Sequence, residues 1–240
     1  MNQDINPEVE KAVKRVREEY KNMTSMFIHE LRNPLSLLKG TLQYIEIKHP
    51  EAKSYKYWDQ TFELIAEMEK MMADASALNA CSILNMDKTN LVNLIEETTN
   101  QYKPQAEGQQ KHLSVIISPE CRDAITSYYC DAAKIKQVMS NLIKNALEAT
   151  SPGDFIEITA GITNTESRPM LSIQVHDNGK PIPEDNIDNI FKPFVTYKEG
   201  GTGVGLALAK RIVENHMGSI SVTSSESLTS FNILLPLRQS

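Results

Sequence analysis

The chain has 240 residues, enough for one large domain or two modest ones, and its 40% hydrophobic and 23% charged content is ordinary for a globular protein. No stretch approaches the roughly 18 apolar residues of a membrane span and the N-terminus lacks a signal-peptide pattern, so we expect a cytoplasmic chain without a membrane segment. The net charge of −6 argues against nucleic-acid binding, because such binding needs a basic surface.

The first third of the chain predicts two long helices. Glycine is almost absent between Pro7 and Leu84, and apolar residues recur at steps of three, four and seven on either side of a turn predicted at 49–54. We therefore predict an antiparallel helical hairpin. Its two apolar stripes are Phe27, Leu31, Leu35, Leu38, Leu42 and Ile45, then Trp58, Phe62, Ile65, Met68, Met72, Ala75 and Leu78.

One hairpin leaves parts of both stripes uncovered. Pairing with a second copy would complete a four-helix bundle, so we predict a homodimer. The alternative is a monomer whose hairpin packs on its own C-terminal domain. We predict domain boundaries at 1–86 and 87–240.

After Asn85 the sequence changes to short strand-like runs mixed with helices. Because strict βαβ alternation is missing, we predict an α/β sandwich with helices on one face of the sheet, and an α+β class for the whole chain. Helices are predicted from the cap residues Thr89 and Asn90 to Gly108, over 131–149 and over 205–216. Strands are predicted over 113–118, 126–130, 155–162, 170–177, 219–224 and 231–236.

A glycine-rich segment, GGTGVGL from Gly200, precedes the last predicted helix. It does not match the phosphate loop GxxxxGK[ST]. Gly201, Gly203 and Gly205 nevertheless allow backbone conformations closed to other residues, and a helix N-terminus directs free N–H groups at an anion. The segment is a candidate phosphate cradle, although a flexible turn before a helix would give the same pattern.

Two asparagines, Asn141 and Asn145, share one face of the predicted helix 131–149, with Lys144 and Glu148 beside them. Asparagine is a poor helix former, so two of them amid apolar residues require polar partners. Amide oxygens suit Mg²⁺. This is a candidate metal site, and a solvated polar face is the alternative.

Asp177 ends a predicted strand, and Gly179 follows in a turn where the backbone can approach a flat ligand. A buried carboxylate there would accept a hydrogen bond from an exocyclic amine such as that of adenine, and would leave the carbonyl of guanine unmatched. Taken alone, DNG is also an ordinary turn signal.

Taken together and in this order, these segments resemble the ATP-binding domain of histidine kinases, which is related to the gyrase-type ATPases. NLIKNALEA is similar to the N box of that family, DNGKPIP to its first glycine box, FKPF to its F box and GGTGVGL to its second glycine box. The resemblance implies that Asn145 binds Mg²⁺ and that Asn141 supports it. It also implies that Lys144 reaches toward phosphate and that Asp177 binds the adenine amine.

The remaining ATP-binding positions also come from the resemblance. Phe191 and Phe194 would anchor a short lid, whose Lys198 would contact phosphate, and Thr229 would line the adenine pocket. The resemblance also implies that the nucleotide is bound by further residues, which are Gly179, Gly201, Thr202, Gly203 and Gly205.

One position departs from the family pattern. Pro181 stands where most relatives have a second glycine. Proline fixes φ and has no N–H group, so the loop after Gly179 is expected to be stiffer, with an effect on nucleotide affinity or on the lid.

The segment FIHELRNPLSLLKG resembles the H box of the dimerisation and phosphotransfer domain. His29 would be the phosphoacceptor, because imidazole keeps a neutral nucleophilic nitrogen at cytosolic pH. Glu30 would act as general base. Asn33 lies one turn later, where the resemblance implies a role in removing phosphate from a partner, and Pro34 is expected to bend the helix.

The resemblance covers about residues 20 to 237 and implies a kinase that uses ATP and Mg²⁺ to phosphorylate His29, then passes the group to an aspartate of a response-regulator receiver domain. Its H box is most similar to those of Gram-positive sporulation-type kinases. Two alternatives stay open: a degenerate kinase that acts as a dimeric scaffold, and mainly a response-regulator phosphatase. About twenty residues precede the H box, so we expect the signal to come from another protein or from a longer chain.

Other candidate ligands are predicted to be structural. The three cysteines show no CxxC spacing and are expected to be packing thiols rather than disulfides or zinc ligands. His49, His112 and His176 are assigned no role in the chemistry. His216 is placed at a helix end, where a cation is favourable.

Overall fold

The structure, a computed structural model, describes residues 7–81, 83–165, 168–198 and 201–237. These residues form two compact units that meet between Ala80 and Cys81. The ends of the predicted domains and two residues of the predicted lid, 199 and Gly200, lie outside the described residues.

The first unit is the predicted helical hairpin. Helix α1 (Pro7–Lys48) runs without interruption through Pro34, and a 3₁₀ turn (Pro50–Ser54) leads to α2 (Trp58–Ala80). The helices are antiparallel, because Glu46 near the end of α1 accepts a hydrogen bond from Trp58 at the start of α2, whereas the earlier Lys39 bonds to the later Glu69.

Only part of each predicted apolar stripe faces the partner helix. Leu35 on α1 packs with Ile65 and Met72 on α2, and Ile28 joins them in place of the predicted Phe27, whose side chain is 59% exposed. Leu31, Leu38 and Met68 are exposed as well. The hairpin therefore keeps an uncovered apolar face.

The second unit contains a five-stranded sheet in the order β2–β4–β5–β7–β6, in which β2 and β4 are parallel and the other pairs antiparallel. Two short strands, β1 and β3, form a separate antiparallel pair. The strands are β1 Asp87–Thr89, β2 His112–Ile117, β3 Tyr128–Cys130, β4 Phe155–Asn164, β5 Pro169–Asp177, β6 Ser219–Ser224 and β7 Thr229–Pro236.

Helices cover one face of this sheet. Along β5, Leu171, Ile173 and Val175 are buried beneath them, while the alternate residues Ser172 and Gln174 face outward and are partly exposed. Helix α3 packs on β2, α5 on β5, and α7 on β6 and β7, as predicted for an α/β sandwich. The helices of this unit are α3 Leu91–Gly108, α4 Pro119–Ala124, α5 Ala132–Ala149, α6 Glu184–Ile187 and α7 Gly205–Asn215.

Side-chain caps fix where two of these helices begin. The predicted cap Asn90 accepts a hydrogen bond from the Asn93 N–H at 3.1 Å, and Asp131 accepts one from the Lys134 N–H at 3.0 Å. The other oxygen of Asp131 accepts from the Asn85 N–H at 2.8 Å. Asp131 therefore caps the start of α5 and also fixes the backbone at Asn85, near the start of the second unit.

His216 at the end of α7 is held as a neutral ring rather than as the cation that a helix end favours. His216 is buried, and its Nε2 accepts a hydrogen bond from the Asp131 N–H at 3.1 Å while its Nδ1 bonds to the Ile212 carbonyl at 2.8 Å. A ring nitrogen that accepts from an amide carries no proton, so the imidazole is neutral with its proton on Nδ1.

The three cysteines, Cys81, Cys121 and Cys130, are fully buried, which suits their expected role in packing. Burial raises the pKa of the Cys121 and Cys130 thiols. In the described ranges, no helix combines the length and the apolar content that a bilayer crossing requires.

Candidate functional site

The segments singled out in the sequence come together at one end of α5. Asn141 donates from Nδ2 to the carbonyl of Gly205 at 3.0 Å, which joins α5 to the start of α7. At the end of α5, the Lys180 N–H donates to the Ala149 carbonyl at 2.9 Å. A Cβ atom on Gly179 would lie 2.5 Å from that same carbonyl oxygen, so the close approach requires glycine.

The start of α7 offers backbone donors. Val204 is the N-cap residue, and its side chain cannot accept from the first N–H groups of the helix, which also lack intrahelical partners. Gly203 turns the chain into the helix with φ +68°, and its carbonyl accepts from the Phe194 N–H at 3.0 Å. Gly201 and Thr202 precede it and are partly buried. The amides at the start of α7 can bind an anion, whereas the Gly201 N–H already donates to the Lys198 carbonyl at 3.3 Å.

A lysine lies against the predicted metal ligand. The Nζ atom of Lys198 is 3.1 Å from Oδ1 of Asn145 and 2.6 Å from Oε2 of Glu148. Lys144, on the same helix, is exposed. The two oxygen atoms that hold the ammonium group of Lys198 are also of the type that a hard divalent cation prefers. The sequence interpretation did not assign a role to Glu148.

Asp177 is a buried carboxyl at the end of β5, with 1% of its surface exposed. Burial raises its pKa from an ordinary value of 3.8 to about 6, against the opposing effects of the Gly179 N–H, which donates to Oδ1 at 3.1 Å, and of Lys198. Thr229 lies directly opposite on β7 and is 3% exposed. A buried acceptor therefore lies next to a buried hydroxyl.

The sequence interpretation also missed Ser224, which bonds to Thr229. The two hydroxyl oxygens are 2.7 Å apart, and Oγ of Ser224 accepts from the Ile182 N–H at 2.9 Å. Ile182 follows Pro181 in the loop after Asp177. No sequence pattern identifies this serine, because the contact joins strand β6 to a distant loop.

The two predicted lid phenylalanines differ in their surroundings. The ring of Phe191 packs edge-on against Phe231 of the sheet, with centroids 6.4 Å apart, and Nζ of Lys210 lies 5.8 Å from its centroid. Phe194 is 55% exposed and has φ +63°, a conformation that costs a non-glycine residue about 1 kcal/mol or more. Phe191 is therefore fixed against the sheet, and the backbone is strained three residues later, at Phe194.

His29, Glu30 and Asn33 lie in the first unit, on α1. All three are exposed, whereas their neighbour Ile28 is buried against α2. Because Ile28 faces inward, the side chains of His29 and of Asn33, one turn later, are accessible from solvent.

Known proteins resemble this chain in sequence and in fold. Residues 130–239 match the family of histidine kinase-, DNA gyrase B- and HSP90-like ATPases. The catalytic domain of the histidine kinase ThkA is 31% identical to this chain with a TM-score of 0.56, and the match covers 63% of this chain and 97% of that domain. This chain belongs to the histidine kinase family.

Two curated relatives refine the family assignment. Sporulation kinase A of Bacillus subtilis (strain 168) is 34% identical over 87% of this chain and 33% of its own length. Sporulation kinase E of the same organism is 30% identical over 88% of this chain and 28% of its own length. The predicted resemblance to sporulation-type kinases is confirmed, and the chain spans about a third of the length of these two histidine kinases.

The geometry of this kinase core fits the nucleotide that an ATPase domain binds. The amides at the start of α7 suit phosphates, and the buried carboxyl of Asp177 suits an amine. In the part of the chain that the structure describes, no group of three or more His, Cys, Asp or Glu side chains could hold a metal ion. Asn145 and Glu148 are the residues here whose oxygen atoms could hold Mg²⁺ beside the phosphates.

We predict that Asp177→Asn changes how stability depends on pH. Because the folded-state pKa of about 6 lies above the ordinary value of 3.8, the folded state binds more protons between these values, and stability falls as pH rises through this window. The variant should therefore gain about 2 kcal/mol relative to the wild type between pH 4.5 and pH 7.5, measured by urea unfolding. The exposed Asp185→Asn is the control, and a pH-independent difference for Asp177→Asn would contradict the expectation.

We also predict opposite effects at the two ends of the Lys198–Glu148 ion pair. Glu148→Gln releases the ammonium group from an exposed pair, so the Kd for Mg²⁺–ATP should fall by up to about fivefold. Lys198→Met would remove the expected phosphate contact and should raise that Kd about tenfold or more. Isothermal titration calorimetry measures both.

Glu96→Gln is the matched control for this measurement, since Glu96 forms a similar pair with Arg122 at 2.8 Å. Weaker binding by Glu148→Gln would show that Glu148 helps to hold the nucleotide rather than competing for Lys198.

Proposed function

We propose that this chain uses ATP to phosphorylate its own His29 and then transfers the phosphoryl group to an aspartate of a response-regulator receiver domain. The single observation that carries the proposal is the assembly of Asn141, Asn145, Asp177 and the start of α7 around the end of α5. The two predicted domains would carry out separate steps, phosphotransfer in 1–86 and ATP binding in 87–240. ATP and receiver domains are available in the cytoplasm, where we propose that the chain acts.

Each group of the nucleotide has a proposed partner. Asp177 accepts from the adenine amine, and Thr229 lines the same pocket. The phosphates lie at the amides from Gly201 through Gly205, with Lys144 and Lys198 offsetting their charge. Asn145 would hold Mg²⁺, which supplies charge neutralisation on the phosphates and fixes their orientation.

The reaction at His29 is proposed as an in-line transfer. A neutral ring nitrogen forms the N–P bond while the bond from the γ-phosphorus to its bridging oxygen breaks and ADP leaves. Glu30 accepts the proton that the imidazole loses. The exposure of His29 supports this role, because both the ATP-binding domain and a receiver domain need access to the same nitrogen. Asn33, exposed one turn away, is proposed to orient a water for dephosphorylation of the receiver.

The loop around Pro181 favours an active kinase over a scaffold. The residue on each side of Pro181 uses its N–H group: Lys180 donates to Ala149, and Ile182 donates to Ser224. The N–H that proline lacks is therefore not needed to hold the loop on α5 and β6.

We also propose that the chain forms a homodimer through the uncovered face of the hairpin. Leu31 and Leu38 of α1 and Met68 and Met71 of α2 line a groove of about 350 Å³, and each of these side chains is about half exposed. A contiguous apolar groove of this kind on paired helices suits the matching groove of a second copy.

The autophosphorylation proposal predicts covalent label on His29. Incubation with γ-labelled ATP and Mg²⁺ should give an acid-labile, base-stable phosphoryl group that is lost in His29→Gln and retained in the control His49→Gln. Asn145→Leu should lower the labelling rate at least tenfold, because it removes the proposed Mg²⁺ ligand. Label that survives in His29→Gln would place the acceptor elsewhere, and no label in the wild type would support the scaffold.

The dimer proposal predicts that a charge in the groove separates the subunits. Leu38→Glu would bury a carboxylate in an apolar contact, so light scattering should show a fall from dimer to monomer mass. Leu37→Glu is the matched control, because Leu37 is on the same helix but 73% exposed and outside the groove. A wild type of monomer mass would favour the alternative of a monomeric hairpin packed on its own chain.

A further inference from the structure

Three polar side chains form a row across neighbouring strands of the sheet. Ser224 of β6 is paired with Thr229 of β7, and Thr229 is paired on its other side with Asp177 of β5. Thr229 and Asp177 are 3% and 1% exposed. The strand register therefore places Thr229 between Ser224 and Asp177.

Ser224 connects this row to the loop that follows Asp177. Its Oγ accepts a hydrogen bond from the Ile182 N–H at 2.9 Å and lies 2.7 Å from Oγ1 of Thr229. A hydroxyl has one hydrogen and two lone pairs. Because the amide of Ile182 can only donate, it occupies one lone pair of Ser224 and leaves the hydrogen free for Thr229.

The charge of Asp177 favours one direction for the bond between the two hydroxyls. If Thr229 donated to Ser224, it would present only lone pairs beside a carboxylate, and the oxygens would repel each other. If Ser224 donates, Thr229 keeps its hydrogen for an acceptor on a base that binds at Asp177. The hydrogen bonds then run in one direction from Ile182 through Ser224 to Thr229.

We propose that Ser224 is a positioning residue that determines base specificity by keeping the Thr229 hydroxyl a donor beside the carboxylate acceptor of Asp177. This inference rests on the proposed function, in which this pocket binds the base of ATP. Ser224 does not touch the base itself and acts through Thr229.

An acceptor next to a donor matches adenine. The Watson–Crick edge of adenine presents its amine as a donor next to N1 as an acceptor, whereas guanine and hypoxanthine present a carbonyl next to an N–H. Asp177 and Thr229 thus match adenine at two adjacent atoms and mismatch the other two bases at both. Unpaired buried polar groups make such mismatches costly, so the arrangement selects ATP over GTP and ITP.

The test compares ATP with 1-deaza-ATP, an analogue in which N1 is replaced by C–H. Calorimetry gives the Kd of both for the wild type, for Ser224→Ala, for the hydroxyl-retaining Ser224→Thr and for the control Ser221→Ala, at an exposed position of the same strand. The wild type, Ser224→Thr and Ser221→Ala should bind ATP roughly tenfold more tightly than the analogue, as expected for one hydrogen bond. In Ser224→Ala this ratio should fall toward one.

Different results would overturn the role of Ser224 and the proposed ATP binding. A purely structural serine would weaken both ligands equally in Ser224→Ala and leave the ratio unchanged, which overturns the inference. Equal affinities of the wild type for ATP and 1-deaza-ATP overturn the inference as well, and this measurement does not depend on any variant. If Ser224→Ala does not fold, Ser224→Cys replaces it. Failure of the wild type to bind ATP at all would instead overturn the proposed function, and this inference with it.

Discussion

The close contact between the loop after β5 and the end of α5 is the constraint on which the site depends. Gly179 lies so near the backbone of Ala149 that no side chain fits, and the Lys180 N–H closes the contact with a hydrogen bond. The contact holds the end of β5 against α5, so that Asp177 lies on the same side of the unit as Asn145. The contact thereby fixes the carboxyl that is proposed to bind the base relative to the candidate metal ligand.

Two features of the site oppose stability. The buried carboxyl of Asp177 is costly to ionise, and Phe194 adopts a left-handed conformation that only local contacts can hold. Both lie at positions where the proposed function needs a preformed shape. The surrounding unit offsets them with the apolar layer between sheet and helices, where Leu142, Ile158 and Ile173 are almost fully buried.

Sequence patterns were most informative where they repeat. The hairpin, α3, α5, α7 and the long strands follow from periodic apolar residues and from caps such as Asn90, because burial on one face imposes that period. The strand β1 and the single turn of α6 are too short to show a period. Helix α4 is not among the predicted elements, although the cap residue Ser118 followed by Pro119 is typical of a helix start. The family boxes supplied most of the site, whereas Ser224, Glu148 and the neutral state of His216 depend on contacts between distant segments that no local pattern records.

Helix α1 has a mechanical consequence. Its 42 residues span about 63 Å as one continuous α-helix, and such a helix behaves as a stiff elastic rod. Pro34 lacks the N–H that would bond to the carbonyl of Glu30, so bending stiffness is lowest one turn after His29. Torque or bending applied along α1 would concentrate its deformation at this joint, beside the proposed phosphoacceptor His29, rather than spread along the helix.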